Sequence, residues 1–203
     1  ASQPFFSVIS GDASLRSRPM DRIVRPLAQM GARITGRRNG SLAPLAVSGG
    51  GLAGIDHSQP VASAQVKSCL LIAGLHAQGE TVIRQPAASR DHTERMMRAM
   101  GADVEIAGLN ITVRRSELSA LDTRVPADIS GAAFWLVAAC CHPNARFAVK
   151  SVGINPSRAG ALEVLRSMGA RINMENVREG GEPSADLVAE SSALSSTEIS
   201  GDI

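Results

Sequence analysis

Met30-Gly31-Ala32-Arg33-Ile34 returns as Met100-Gly101-Ala102-Asp103-Val104, and again as Met168-Gly169-Ala170-Arg171-Ile172. Gly31, Gly101 and Gly169 thus recur at one nearly constant long interval. Self-similarity at a fixed long period marks a chain built by repeating one supersecondary unit. Upstream of each copy the apolar residues fall at helical spacing: Met20, Ile23, Val24, Leu27 and Met30; then Met96, Met97 and Met100; then Leu162, Leu165 and Met168. Each glycine sits where a left-handed C-cap would stop that helix, and a short strand should follow. Pro26 should kink the first helix.

A second kind of segment alternates with these. Ser63 to Leu75 is a mostly apolar run, followed by a strand-like Thr81 to Arg84. Its counterpart runs Ser130 to Cys141, followed by Arg146 to Lys150, and the step from Ser63 to Ser130 matches the glycine interval. Both helices are apolar nearly all round, the second more so, and should therefore be buried. The order is amphipathic, buried, amphipathic, buried, amphipathic, ending on a strand near Leu187 to Glu190. The expectation is an α/β chain cut from a longer repeat array.

Composition narrows the function. Of 203 residues, 44% are hydrophobic and 20% charged, as in ordinary globular domains. There are four Phe, one Trp and no Tyr, too few platforms for base stacking. A net charge of +2 makes no strong field for a polyanion. Only Lys67 and Lys150 among 21 basic residues are lysines. Arginine suits phosphate and carboxylate, although a GC-rich genome produces the same bias. Cys69, Cys140 and Cys141 lie in apolar runs without metal-ligand spacing and read as small buried hydrophobes of a reducing compartment. Neither a secretory leader nor a membrane-length apolar run is read, so a cytoplasmic protein is expected.

Three segments have the means to hold anions. Gly11-Asp12-Ala13-Ser14-Leu15-Arg16-Ser17-Arg18-Pro19-Met20 reads as a turn opening the first helix, with Arg18 at the helix start. That pattern fits an anion seat and equally an ordinary N-cap with solvated arginines. Ser63 and Gln65 begin the first buried helix. Ser63 is a natural N-cap, and a polar, positive helix end also suits a phosphate. In Ser89-Arg90-Asp91-His92-Thr93-Glu94, Asp91 and Glu94 have capping-box spacing and Arg90 precedes the cap. His92, Glu94 and Arg95 are read as solvated. Gly49-Gly50-Gly51 opens no dinucleotide-binding helix, and no Walker, zinc or nucleophile-elbow motif is found.

Taken together, Gly-Asp-Ala-Ser-Leu-x-x-Arg-Pro-Met at 11–20, Ala-Ser-Ala-Gln-Val-Lys-Ser at 62–68 and Ser-Arg-Asp-His-Thr-Glu at 89–94 resemble the 5-enolpyruvylshikimate-3-phosphate (EPSP) synthase family. The likeness is to its bacterial class with Ala after the substrate-binding Ser. It continues through Asp128 to Phe134 and Asn155 to Arg158, covering essentially the whole chain. The resemblance implies an inside-out α/β barrel built from repeated βαβαββ units. Residues 1–203 would be most of one domain of a two-domain enzyme, the one holding shikimate 3-phosphate, with the remainder absent.

By the same resemblance Arg18 and Gln65 would bind phosphoenolpyruvate, and Ser63, Ala64, Gln65 and Arg90 shikimate 3-phosphate. Ala64 supplies no second hydroxyl. Lys67 and Asp91 match motif positions without an assigned role. The catalytic acid and base would lie in absent segments, so this chain alone should be inactive. No metal or organic cofactor, nucleic acid or membrane is implied, and the full-length enzyme is expected to be a cytoplasmic monomer. The nearest rival, a UDP-N-acetylglucosamine enolpyruvyl transferase, usually has a reactive Cys where Ala13 stands. A non-enzymatic repeat scaffold would have no need of Arg18, Gln65 and Arg90 together.

Overall fold

In the computed structural model, which describes residues 1–200, the chain falls into two units that part between Leu121 and Asp122. The first runs β1 (Phe6–Ile9), α1 (Ala13–Ser17), α2 (Asp21–Gln29), β2 (Arg33–Arg37), β3 (Leu42–Ser48), β4 (Leu52–Ala53), β5 (Asp56–Ser58) and α3 (Ala64–Gly74). It continues with β6 (Ala77–Gln78), β7 (Thr81–Arg84), α4 (His92–Ala99), β8 (Val104–Ala107) and β9 (Asn110–Val113). The second holds α5 (Ile129–Cys141), β10 (Arg146–Gly153), α6 (Gly160–Ser167), β11 (Arg171–Arg178) and β12 (Ser184–Glu190). Residues 114–126 carry no helix or strand.

The Met-Gly-Ala copies end α2, α4 and α6 identically. Gly31, Gly101 and Gly169 take φ of +98°, +86° and +91°, conformations that a side chain would strain. In each copy the glycine N–H reaches the carbonyl three residues back: Ala28, Arg98 and Arg166. The following alanine N–H reaches five back, to Leu27, Met97 and Leu165. These paired bonds are the Schellman arrangement, which satisfies the last helical carbonyls. A strand follows each time, as the repeat predicts: β2, β8 and β11. Pro26 lies inside α2, which continues past it to Gln29.

The sheets repeat as well. Their orders are β1-β3-β2, β5-β7-β9-β8 and β10-β12-β11, so in each copy the last strand of the unit lies between the other two. The pairs among those three strands are antiparallel, whereas β5 joins β7 in parallel. Burial alternates along β3, with Ala43, Leu45 and Val47 inside, the two-residue period of a half-covered strand. The family resemblance takes residues 1–203 as most of one domain. Each unit nevertheless has its own hydrophobic cluster. One is centred on Leu70, Leu71 and Ile83, the other on Leu136, Val152 and Leu187.

The buried helices depart from expectation in different degrees. In α3 six of eleven residues are buried and Ile72 is exposed. In α5 only five of thirteen are buried, while Phe134 is 79% and Trp135 61% exposed. Trp135 stacks on Phe147 of β10, with ring centroids 5.7 Å apart and planes 23° from parallel, a contact that still leaves both residues exposed. A helix apolar all round has no polar stripe to mark its outer face, so its sequence says that cover is favourable, not which side this chain covers. The cysteines correct the reading likewise: Cys140 is buried, Cys69 half-buried and Cys141 exposed.

Candidate functional site

The start of α3 carries three of the candidate ligands, Ser63, Ala64 and Gln65. Ser63 is its N-cap, and Ser63 Oγ accepts from Val66 N at 3.4 Å, so the hydroxyl satisfies one of the helix's unpaired amides. The Ser63 carbonyl accepts from Lys67 N at 3.0 Å and from Nε2 of the buried Gln59 at 3.3 Å. Its backbone is therefore held from two sides. Ala64 is half-buried, and Gln65 is exposed. The Gln65 side chain makes no hydrogen bond to any described residue.

Arg90 is brought to this helix by a buried ion pair. Lys67 and Glu94 are 1% and 2% exposed, with Lys67 Nζ 2.6 Å from Glu94 Oε1. Lys67 Nζ also donates to the Ser89 carbonyl at 3.2 Å, one residue before Arg90. Ser68 Oγ and Thr93 Oγ1 lie 2.7 Å apart across the same two helices. Glu94 is thus not on the solvated face. The capping box does not form either: Asp91 stands at the N-cap but makes no capping bond, and accepts from Arg95 Nε at 2.7 Å. Lys67 withdraws Glu94 into the interior, leaving Asp91 to a neighbour one turn on. Arg95 and His92 are half-buried. The Arg90 side chain is exposed and pairs with no described residue.

Around Arg18 the local structure also differs from the reading. The expected turn holds a five-residue helix, α1, because Asp12 Oδ1 accepts from Leu15 N at 2.7 Å and caps it. Arg18 is at the far end, its N–H bonded to Leu15 O at 3.1 Å, and Pro19-Met20 then leads into α2. Its side chain is exposed, without a partner among the described residues.

The first turns of α2 and α3 open on one cavity of about 310 Å³, whose lining includes Asp21, Arg22, Arg25, His57, Gln59 and Ser63. Burial pushes the His57 imidazole below its usual range, which favours the neutral ring. Arg25 sits 3.5 Å from Asp21. Ser63 is the one predicted ligand in this lining. Arg90 is tied to α3 through Ser89, and Arg18 lies three residues before Asp21; Gln65, Arg90 and Arg18 do not line the cavity. The sequence reading missed the Lys67–Glu94 pair, whose only visible signal is a lysine inside an apolar run. Among the described residues no group of His, Cys, Asp and Glu is placed to hold a metal ion. No described helix is long and apolar enough to cross a membrane.

Comparison with known proteins shows the family. The family model described as EPSP synthase (3-phosphoshikimate 1-carboxyvinyltransferase) matches residues 1–199. A 3-phosphoshikimate 1-carboxyvinyltransferase of Desulforudis audaxviator is 56% identical, over 99% of this chain and 47% of its own length. That of Citrifermentans bemidjiense is 53% identical over all of this chain and 48% of its own. A solved EPSP synthase of Acinetobacter baumannii superposes with a TM-score of 0.91 at 45% identity, covering 98% of this chain and 46% of that one. The chain spans about half the length of the curated relatives it matches. Threefold helix endings, repeated α/β units of the EPSP synthase fold and a match along nearly every residue place this chain in the EPSP synthase family.

Proposed function

We propose that the full-length protein transfers the carboxyvinyl group of phosphoenolpyruvate to the 5-hydroxyl of shikimate 3-phosphate. The 5-hydroxyl gives up its proton as its oxygen bonds to C2 of phosphoenolpyruvate and C3 takes a proton. C3 then loses a proton as the C2–O bond to phosphate breaks, giving the enol ether and inorganic phosphate. Both substrates are multiply anionic, so the protein's first task is to offset their repulsion.

One observation carries the assignment of ligands. Arg18, Gln65 and Arg90 are exposed at helix ends without a described partner, beside a family match that spans them. Arg18 would take phosphoenolpyruvate by charge-assisted hydrogen bonds. Ser63 and Gln65 would hold shikimate 3-phosphate at the positive end of α3, where the Ala64 N–H has no helical acceptor. Gln65 would border both substrates, and Arg90 would complete the phosphate's surroundings. All of these positions belong to unit Ala1–Leu121, so that unit would hold shikimate 3-phosphate. The reading of residues 1–203 as most of one domain rests on the family resemblance. On this account the full-length protein is a cytoplasmic monomer that needs no cofactor.

The test is phosphate release by the full-length protein given each substrate alone and both together. Release should require both. Arg18→Ala should raise the phosphoenolpyruvate KM about tenfold to a hundredfold, the equivalent of about 1.5–3 kcal/mol for a lost charge-assisted bond, while shikimate 3-phosphate binding alone stays unchanged. Release from phosphoenolpyruvate alone, or an unimpaired variant, would overturn the assignment.

A further inference from the structure

We infer that Lys67 and Glu94 are positioning residues, whose buried ion pair fixes the Ser89–Arg90 backbone against the first turns of α3 and so sets where the Arg90 guanidinium points. The inference rests on the reading of Ser63, Gln65 and Arg90 as shikimate 3-phosphate ligands.

Stability is a poor reason for this pair. Lys67 follows the buried Val66 and precedes the buried Leu70 and Leu71, and removing both charges from water costs several kcal/mol per ion. Well-packed apolar residues at such positions are often neutral or stabilising. Glu94 Oε2 is buried without a hydrogen-bond partner among the described residues, so the pair is not even fully satisfied. Direction is what an apolar pair cannot supply. Lys67 Nζ holds Glu94 Oε1 in the first turn of α4 and the Ser89 carbonyl just before Arg90. Ser68 and Thr93 tie the same helices together beside it. Ser89 Oγ donates to Gln85 Oε1 at 2.5 Å, a second bond that holds the residue before Arg90. Lys67 follows Gln65 by two positions and Ser63 by four. Lys67 thus joins the turn of α3 that carries Ser63 and Gln65, through its own N–H to the Ser63 carbonyl, to the backbone one residue before Arg90. The Arg90 side chain has no described partner, so only its backbone anchors its origin.

The experiment uses the full-length protein, with phosphate release as the assay. The double variant Lys67→Met/Glu94→Leu keeps volume and removes both charges. It should melt within a few degrees of the parent, yet raise the shikimate 3-phosphate KM by about 10- to 100-fold, the usual cost of misplacing a contact by about 1 Å. The phosphoenolpyruvate KM should move little. Combined with Arg90→Ala, the two changes should be strongly non-additive, because both act through one contact. If the double variant fails to fold, Lys67→Met/Glu94→Gln decides by the same split, since it keeps the shape of the Glu94 side chain while removing the Lys67 donor and both charges. A folded variant with an unchanged shikimate 3-phosphate KM, or full additivity with Arg90→Ala, overturns the inference while leaving the site reading intact. An Arg90→Ala protein with an unchanged KM overturns the site reading, and the inference with it.

Discussion

Helices α3 and α5 occupy matching places in successive repeats and begin differently. Their buried faces pair off at one constant offset: Val66 with Ala132, Leu70 with Leu136, Ala73 with Ala139 and Gly74 with Cys140. Along that face the two are interchangeable in kind. They differ at the start and at interior positions, among them Leu71, which is buried where Val137 of α5 is exposed. Helix α3 is capped by a neutral serine, exposes Gln65, and carries Lys67 where α5 has Ala133. Helix α5 is capped by Asp128, whose Oδ1 accepts from Ser130 N at 3.0 Å and Arg158 Nη2 at 3.2 Å. Arg158 Nη2 also donates to Ser130 Oγ at 2.8 Å, so α5's cap already has its cation. The repeat therefore specifies scaffold, and the departures from it fall at the start of α3, where the proposed ligands lie, and at the start of α5, where Asp128 and Ser130 already hold Arg158.

The strongest challenge to this pairing is to empty the shared face. Leu70→Ala and Leu136→Ala should each cost roughly 2–5 kcal/mol in denaturant unfolding, because both side chains are fully buried. A cost under about 1 kcal/mol at either position would mean that the two faces are not equivalent. A smaller effect tests the helix endings that frame both. Gly101→Ala should cost about 1–2 kcal/mol from its left-handed backbone alone, since an added Cβ there meets nothing within 4 Å. The smallest effect separates the caps. The Ser130 backbone N–H, and then Arg158, hold the Asp128 carboxyl below its ordinary 3.8. A depressed folded value stabilises above the unfolded value and is lost as pH falls through the folded one. The melting temperature difference between parent and Asp128→Asn should thus shrink below about pH 3.8, whereas a Ser63→Ala difference should stay flat with pH. An Asp128 difference that ignored pH would remove the contrast between the caps.

Much of this architecture is legible in the amino-acid sequence alone. Period, glycine C-caps and following strands come from local chemistry, and Met30-Gly31-Ala32 states it as plainly as a sequence does. The strand Thr81–Arg84 falls where the alternation places it. The failures share a cause. The outer face of α5, the fate of Glu94 and the exposure of Cys141 depend on which partner the tertiary fold delivers, and no window of nearby residues holds that information. Asp91 and Glu94 have the spacing of a capping box, but Lys67, distant in sequence and in another helix, competes for Glu94 and wins. Ser63 reads as a cap and is one. Its proposed second role, like those of Ala64, Gln65, Arg18 and Arg90, comes from the family likeness and not from periodicity.

Gln65 offers the most direct test of the central claim, because it is exposed and bonded to no described residue, and so has no evident structural duty. In the full-length protein Gln65→Ala should leave the melting temperature unchanged or slightly raised, alanine being the better helix former. The measurement is the shikimate 3-phosphate KM of that variant, by phosphate release at saturating phosphoenolpyruvate. A rise of about tenfold, the equivalent of one good hydrogen bond, is the result expected. A folded Gln65→Ala protein with the parent's KM and turnover would contradict the claim that the start of α3 holds this substrate.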